Sequence, residues 1–481
     1  MNTTKKDIIF SSTIIIVIIL IATLFHYPVH FEDALTNSSL TGYDVSISIW
    51  RILFEPIIGL LLFFNRALYA LDEFPSLLVW ILAIFIIYSI AKVFMLREKK
   101  GKFILSQIIN IPILVGLWFT LFVILIFIPL PNNTIINNSS NKILVTTHSH
   151  TEYSHDGLIS QKGLWEWHRR NGFDAFFITD HNNHNHTLDF VNAQRNNKFP
   201  IEPLVMCGEE FSGSNHLSLL GLKRKFSTKG FADSTAIDSV RASNGAVIVN
   251  HWFDGEHKTL EYYRDLGVDG FEIANSATDR SYNRKIYKKI KSFCQANGLI
   301  MNGGLDFHGY GNVCSIWNAF DIPGWHKLSL DAKEEAILSI IKSRDQSKLT
   351  VIIYKDRPYY SKDNLFFSPI ITFLNYFRTL NFYQVLSWIF WILFLLILKI
   401  KVYDNNEFAK QINLNTFISV VAVISSLFFL MLGLKYFLAI RDVTNFTEMY
   451  AEYSQTLFYI GGTFLIYSGL VMFFRMRKIN K

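Results

Sequence analysis

Two short pairs of residues in this chain are spaced for chemistry: His148-Ser149-His150 and Asp306-Phe307-His308. On a strand, side chains at i and i+2 emerge on one side, so each pair can grip a single ion. His148 and His150 close the apolar run that begins at Ile143, and Asp156 follows, with Gly157 expected to let the chain turn its carboxylate back toward the pair. Other apolar runs end in the same way. Ala175–Thr179 leads into Asp180 and His181, and Val205–Gly208 leads into Glu209 and Glu210, with His216 shortly after. Ala246–Asn250 ends at His251, and the run from Leu299 ends at Asp306 and His308. One titratable residue beyond a strand is ordinary, whereas one beyond every strand is a donor set. Imidazoles and carboxylates converging in this way suit a hydrolytic zinc, manganese or iron site. His155, His184, His186 and His257 are expected on the surface around it.

The elements that must position these residues alternate. Strands are expected over 143–147, 175–179, 204–207, 246–250, 270–273 and 299–303, with helices over 163–171, 232–243, 282–297 and 331–343. Repeated β-then-α order argues for a mostly parallel sheet or barrel, in which the carboxyl ends of the strands form the active face. Cys207, Cys294 and Cys314 show no metal-binding spacing and are expected to be buried free thiols.

Half of the 481 residues are hydrophobic, and they concentrate before Leu130 and after Phe382. Apolar runs at 8–25, 77–96, 103–130, 382–400, 414–434 and 456–474 are long enough to cross a membrane. The run at 52–71 is interrupted by Glu55, Pro56, Asn65 and Arg66, so it either spans or lies as an amphipathic or re-entrant segment. The division expected is a membrane block over 1–130, a polar linker over 131–142, a catalytic domain over 143–363 and a second membrane block over 364–481. The net charge of +7 comes largely from Lys/Arg clusters beside the apolar runs, which excludes it as a nucleic-acid footprint; no nucleic-acid partner is expected. The basic loop 97–102 and the basic tail from Arg475 point to the cytoplasm, which places the polar middle on the extracytoplasmic side of a bacterial cell membrane.

The ordered series His148-x-His150, Ser154-x-Asp156-Gly157, Thr179-Asp180-His181, Gly208-x-Glu210, His216, His251 and Asp306-x-His308 resembles the PHP (polymerase and histidinol phosphatase) family of metallohydrolases, over roughly residues 143–355. The resemblance implies an α/β fold, a distorted (β/α)7 barrel, here inserted between two blocks of transmembrane helices. It implies two or three divalent ions (Zn, Mn or Fe). His148, His150, Glu210 and Asp306 would hold the first, Glu210 with His216 and His251 the second, and Asp156, His181 and His308 the third. Glu210 is preferred over Glu209 on the family's Gly-x-Glu pattern. Glu210, Asp180 and His181 are the residues expected at the chemistry, with Asp180 orienting His181 or accepting from a neighbour. Trp252 would reshape the pocket wall, Asn275 would reach the rim, and Arg280, Arg284 and Lys285 would either meet an anionic substrate or form a solvated helix face.

The activity implied is phosphoester hydrolysis by a water activated between the ions. Amide or carbamate hydrolysis is the alternative within the family. The expected substrate is a phosphorylated or other small molecule, or an envelope component brought near by the bilayer. A membrane sensor that binds without turnover, and a transporter in which Glu55 and Arg66 line a path, are the competing classes.

Overall fold

The apolar runs form strands because alternate residues are buried on both sides. Leu144, Phe176, Ile178, Val205, Cys207, Val247, Val249, Phe271 and Ile273 face outward into one buried cluster with Leu164, Trp165, Ile237, Val240 and Ile290. Their neighbours Ile143, Val145, Ala175, Phe177, Leu204, Met206, Ala246, Ile248 and Ile300 face inward to a second cluster with Ile337, Leu338 and Ile341. A strand covered on both faces reads as a continuous apolar run, and each such side chain contributes about 1.5–3 kcal/mol when fully buried.

The computed structural model describes residues 3–65, 73–96, 100–252, 258–276, 284–358, 366–403, 414–440 and 448–479. In chain order the elements are α1 (Thr3–Leu24), β1 (His30–Asp33), β2 (Tyr43–Ile47), α2 (Ile49–Leu53), α3 (Glu55–Phe64), α4 (Phe74–Met95) and α5 (Lys100–Phe127). The barrel follows with β3 (Asn133–Asn137), β4 (Lys142–Thr146), α6 (Gln161–Arg170), β5 (Ala175–Ile178), α7 (Asn185–Arg195), β6 (Leu204–Ser212) and β7 (His216–Leu220). It continues through α8 (Asp233–Ala242), β8 (Ala246–Val249), α9 (Leu260–Leu266), β9 (Gly270–Asn275), α10 (Arg284–Asn297), β10 (Ile300–Gly304), β11 (Ile316–Asp321), α11 (Leu330–Ser343) and β12 (Leu349–Lys355). The chain then returns to long helices: α12 (Ser368–Arg378), α13 (Phe382–Leu398), α14 (Leu414–Ala439) and α15 (Glu448–Ile479).

Ten strands make one curled sheet in the order β1-β12-β11-β4-β5-β6-β7-β8-β9-β10. The core β4-β5-β6 and β8-β9-β10 pairings are parallel. The sheet is nevertheless mixed, because β7 inserts as a hairpin after β6 and β11, β12 and β1 run antiparallel. The Asn318 side chain on β11 bridges to β10, accepting from Gly303 N and donating to Gly303 O, both at 2.7 Å.

Two of the expected boundaries change. Residues 131–142 are more than a linker, since β3 pairs with β2 in register from Tyr43↔Asn137 to Ile47↔Asn133. The domain also recruits chain from between the long apolar helices α1 and α4, because β1 adds to β12 as an edge strand.

Among the described residues, six helices are long and apolar enough to cross a membrane: Lys5–Leu24, Phe74–Met95, Lys100–Phe127, Phe382–Tyr403, Leu414–Ala439 and Glu448–Arg477. α3 is not among them. At 10 residues it is about 15 Å long, against a hydrocarbon core of about 30 Å. Both its ends also lie at the barrel side. Arg51, just before it, donates to Asn132 Oδ1 (2.8 Å), and Arg357, just after β12, donates to Phe63 O (2.7 Å). α4 starts on that same side, where Trp118 of α5 donates to Phe74 O (3.0 Å). The described part of 52–71 is therefore too short to span, and Arg66 lies outside the described residues. Glu55 is buried beside Arg51 (3.5 Å) and accepts from the Tyr376 hydroxyl (3.0 Å).

Candidate metal centre

The inward parity of each strand carries beyond its ladder to the site. Ala175, Phe177 and Thr179 are followed on the same face by His181. Leu204 and Met206 are followed by Glu210, which leaves Glu209 on the outer face, and Ala246 and Ile248 by Asn250. The strand ends are also stitched to each other. His150 N donates to Phe307 O (2.9 Å) and Asp306 N to His148 O (3.0 Å), so the two i, i+2 pairs run side by side. Leu158 N then donates to His308 O (2.8 Å), which ties down the turn carrying Asp156. Gly157 serves that turn by close approach, since a Cβ there would lie 1.8 Å from Thr151 O. Asp306 itself sits at φ +55°, a left-handed conformation that an aspartate adopts only when its surroundings impose it.

Three donor groups result. His148 Nε2 and His150 Nε2 each lie 3.1 Å from Glu210 Oε2, and 3.2 and 3.3 Å from Asp306 Oδ1. The other Glu210 oxygen, Oε1, lies 3.1 Å from His216 Nδ1 and 3.2 Å from His251 Nε2. Asp156 Oδ2 lies 2.9 Å from His308 Nε2 and 3.3 Å from His181 Nε2, with a His150 nitrogen within 4.8 Å of this group. Ligands sharing an ion at bonds of about 2.1 Å are spaced by about 3.0 Å in an octahedron and about 3.4 Å in a tetrahedron. The observed separations fall in that range. Moreover, both His150 nitrogens, Glu210 Oε2 and His216 Nδ1 are buried without a properly directed hydrogen bond, a cost that a cation would relieve. The donor set fits divalent metals.

The electrostatics agree. Burial opposes charge on His148 and His150, but carboxylates outweigh it. Glu210, Asp306 and Glu272 hold His148 well above the ordinary imidazole range, and Asp306 and Glu210 raise His150 to about 10. Burial would raise Glu210 and Asp306, yet the surrounding imidazoles, His148 foremost, hold both well below the carboxylate range. This is a concentration of negative charge suited to cations.

The supporting residues are mostly ones that sequence reasoning passed over. Glu272 Oε1 bonds His148 Nδ1 (2.9 Å) and Oε2 accepts from His251 N (3.0 Å), the carboxylate-to-histidine arrangement that orients a ligand imidazole. Glu272 fits only because residue 304 is glycine, since a Cβ there would lie 2.0 Å from Glu272 Oε1. Asn250 Nδ2 donates to Glu210 Oε1 (2.9 Å), and Asn275 Nδ2 to Asp306 Oδ2 (3.3 Å), so Asn275 does reach the centre. The signal for Glu272 and Asn250 was strand parity.

Of the two roles expected of Asp180, accepting from a neighbour is the one seen. Its carboxylate accepts from Thr151 N (2.6 Å) and the Thr151 hydroxyl (2.7 Å), while His181 Nδ1 lies 3.2 Å from Ser212 Oγ. Asp180 therefore anchors the segment after His150, and burial pushes its pKa up to about 6. His184 is not a surface residue; it is fully buried and bonds Glu209 on the outer face. His155 is exposed and packs its ring at a tilt of 48° against His181, and His186 stacks on Tyr153. Trp252 is buried, with its indole donating to Lys258 O (3.0 Å). His257, Arg280 and the Arg284 side chain lie outside the described residues, and Lys285 is exposed on α10. The three cysteines are buried and form no disulfide, as their spacing suggested. A cavity of about 280 Å³ lies apart from the centre, at the seam of barrel and membrane block, lined among others by His26, Arg51, Tyr354 and Gln384.

Residues 146–265 match the family model of the PHP domain. The matched stretch holds His148 to His251, and the fold adds Asp306 and His308 from beyond it. No curated protein matches the chain. Among solved structures, PsfC from Pseudomonas syringae PB-5123 is similar at 17% identity and a TM-score of 0.31, covering 50% of this chain and 98% of its own. An amidohydrolase from Chromobacterium violaceum is similar at 13% identity and a TM-score of 0.29, covering 39% and 96%. A protein from Bifidobacterium adolescentis assigned as a metal-dependent phosphoesterase is similar at 14% identity and a TM-score of 0.28, covering 35% and 88%. Likenesses this distant carry no argument about substrate.

Proposed function

We propose that the protein is a membrane-anchored, metal-dependent hydrolase acting on phosphate esters, with its barrel on the extracytoplasmic side. The observation that carries the reading is the bridging position of Glu210, whose two oxygens face separate imidazole sets, His148, His150 and His181 on one side and His216 and His251 on the other. Divalent cations held there supply Lewis acidity, activating water and neutralising charge that builds on the scissile group. The chain's own residues supply position. Glu272 fixes the tautomer of His148 so that Nε2 faces Glu210 and Asp306, and Asn250 holds Glu210 Oε1. Asp180 clamps Thr151, and Ser154 Oγ donates to Asp156 Oδ1 (2.6 Å). Asp156 and His216 form the open edge, their side chains 27% and 37% exposed, where a substrate would enter.

The orientation reading rests on charge. Lys5, Lys6, Lys100, Lys102, Lys399, Lys401 and Arg475 all belong to helix ends remote from the barrel, where the positive-inside rule places the cytoplasm. Lys399 of α13 pairs with Asp7 of α1 at that end (2.5 Å).

The test is turnover by the purified full chain loaded with Mn²⁺ or Zn²⁺, on p-nitrophenyl phosphate, bis-p-nitrophenyl phosphate and a naphthyl carbamate, with Glu210→Gln as control. Phosphate-ester hydrolysis that vanishes in the control is the expected result. Carbamate hydrolysis alone moves the protein to amide-type chemistry. Stoichiometric metal without turnover of any of them argues for a binding protein.

A further inference from the structure

The strand register turns the metal centre toward the membrane. β12 leaves the barrel at Lys355 and leads straight into the membrane block, where Arg357 donates to Phe63 O. β11 lies antiparallel to β12 with Ile316 opposite Ile353, and β4 lies antiparallel to β11 with Val145 opposite Asn318. The end of β4, with His148 and His150 just beyond it, therefore lies at the membrane end of the barrel. α11 closes the opposite end against Leu220, Ala246, Ile300 and Phe320.

The loops that carry ligands rest directly on helix ends. Gly311 N donates to Ile126 O (2.7 Å), and Asn312 accepts from Leu130 N (2.7 Å) and donates to Leu125 O (2.6 Å). Leu158, two residues after Asp156, packs with Tyr310 in one cluster with Phe127, Tyr436, Tyr450 and Tyr453. The Tyr450 hydroxyl donates to Glu152 Oε2 (3.2 Å). Two ring contacts, His308–Tyr310 at 6.0 Å and Tyr310–Phe127 at 6.2 Å, connect a ligand imidazole to the last turn of α5. Tyrosines at helix ends mark the headgroup level of a bilayer, so the centre stands within a few side chains of that layer.

We propose that the substrate is a membrane amphiphile, whose reacting group is presented to the centre from the headgroup layer of the leaflet on the barrel side. The inference rests on the phosphoesterase reading for the identity of that group, a phosphate ester, and on the register and seam contacts for how it arrives. Asp156, at the open edge of the centre, sits in the turn that packs against the helix ends. A headgroup phosphate there meets the ligands while its acyl chains stay in the bilayer.

The experiment uses the metal-loaded full chain reconstituted in phosphatidylcholine vesicles. Butyl and hexadecyl phosphate are compared, together with their p-nitrophenyl diesters, and p-nitrophenyl phosphate serves as the soluble reference. The long-chain esters are expected to exceed the short-chain ones by about 10²-fold or more in kcat/KM, the lower end of what confinement beside a site gives. Their rate is also expected to fall in proportion when phosphatidylcholine dilutes them at constant bulk concentration. Equal rates for butyl and hexadecyl esters, or turnover of the soluble reference and butyl esters alone, overturn the proposal and leave the phosphoesterase reading standing. No turnover of any phosphate ester, the soluble reference included, overturns the phosphoesterase reading, and the inference falls with it.

Discussion

Replacing Glu272 by glutamine keeps the side-chain volume and removes one acceptor from the floor of the metal centre. In the native chain Oε1 bonds His148 Nδ1 at 2.9 Å, while Oε2 accepts from His251 N at 3.0 Å and Asn275 Nδ2 at 3.3 Å. A glutamine offers one oxygen and one NH₂, so either His148 Nδ1–H or the His251 amide must face a donor. The site is fully buried and water cannot repair the mismatch. Losing such an orienting partner typically weakens metal binding by about 10–100-fold, or about 1.4–2.7 kcal/mol. The assay is competition for Mn²⁺ or Zn²⁺ against a chelator of known affinity, with thermal melting alongside to show that the variant is folded. Gly304→Ala approaches the same carboxylate from the other side, because its Cβ would sit 2.0 Å from Oε1, and it is expected to weaken metal binding in the same direction. Native affinity, within a factor of two, in a folded Glu272→Gln protein would refute the assignment of His148 as an oriented ligand.

Three further outcomes follow from particular residues. His168 is fully buried, stacked 4.0 Å from Phe176, and burial lowers its pKa to about 3. Because the unfolded state takes up the proton first, the stability His168 contributes is complete above about pH 6.5 and is lost as pH falls toward 3. By pH 5 the loss is about 2 kcal/mol; the melting temperature of His168→Phe should therefore fall less than the native one between pH 8 and pH 5, and an identical fall would contradict this. Thr151→Val deletes the hydroxyl donated to Asp180 and is expected to cost about 1–3 kcal/mol in thermal stability, whereas an unchanged melt would show that the clamp does not matter. Cysteines introduced at Ser38 and Lys198 should react with an impermeant maleimide on intact cells, and those at Lys6 and Arg477 only after lysis; the opposite pattern would reverse the membrane orientation.

Much of this site could be read in the sequence because ligands follow strands, and strands announce themselves as apolar runs. His148, His150, His181, Glu210, His251, Asp306 and His308 all stand just past such a run or at its end, and the fold brings them together. Glu272 and Asn250 were legible in principle. Asn250 stands two residues beyond the inward-facing Ile248, and Glu272 stands between the outward-facing Phe271 and Ile273, which places both on the inner face, but a carboxylate inside an apolar strand draws less notice than one at its end. Sequence left two roles open for Asp180, and the acceptor role is the one seen, because successive residues at a strand end point to opposite sides and its carboxylate turns from His181 to Thr151. His184 misled because its partner, Glu209, lies on the outward face and reaches it only through the fold. The pairing of β1 with β12 and of β2 with β3 joins segments separated by long apolar helices, and no local pattern specifies such contacts. That α3 is too short to span follows from its 10-residue length.

The central claim is that Glu210 is shared between ion sites at a hydrolytic centre. Anomalous diffraction at the manganese edge from crystals of the full chain grown with Mn²⁺ tests it most directly. The account predicts density within bonding distance, about 2.0–2.3 Å, of Glu210 Oε2 and Asp306 Oδ1 between His148 and His150, with a second peak beside Oε1, His216 and His251. Stoichiometric manganese bound elsewhere, with neither oxygen of Glu210 in contact with an ion, would contradict it.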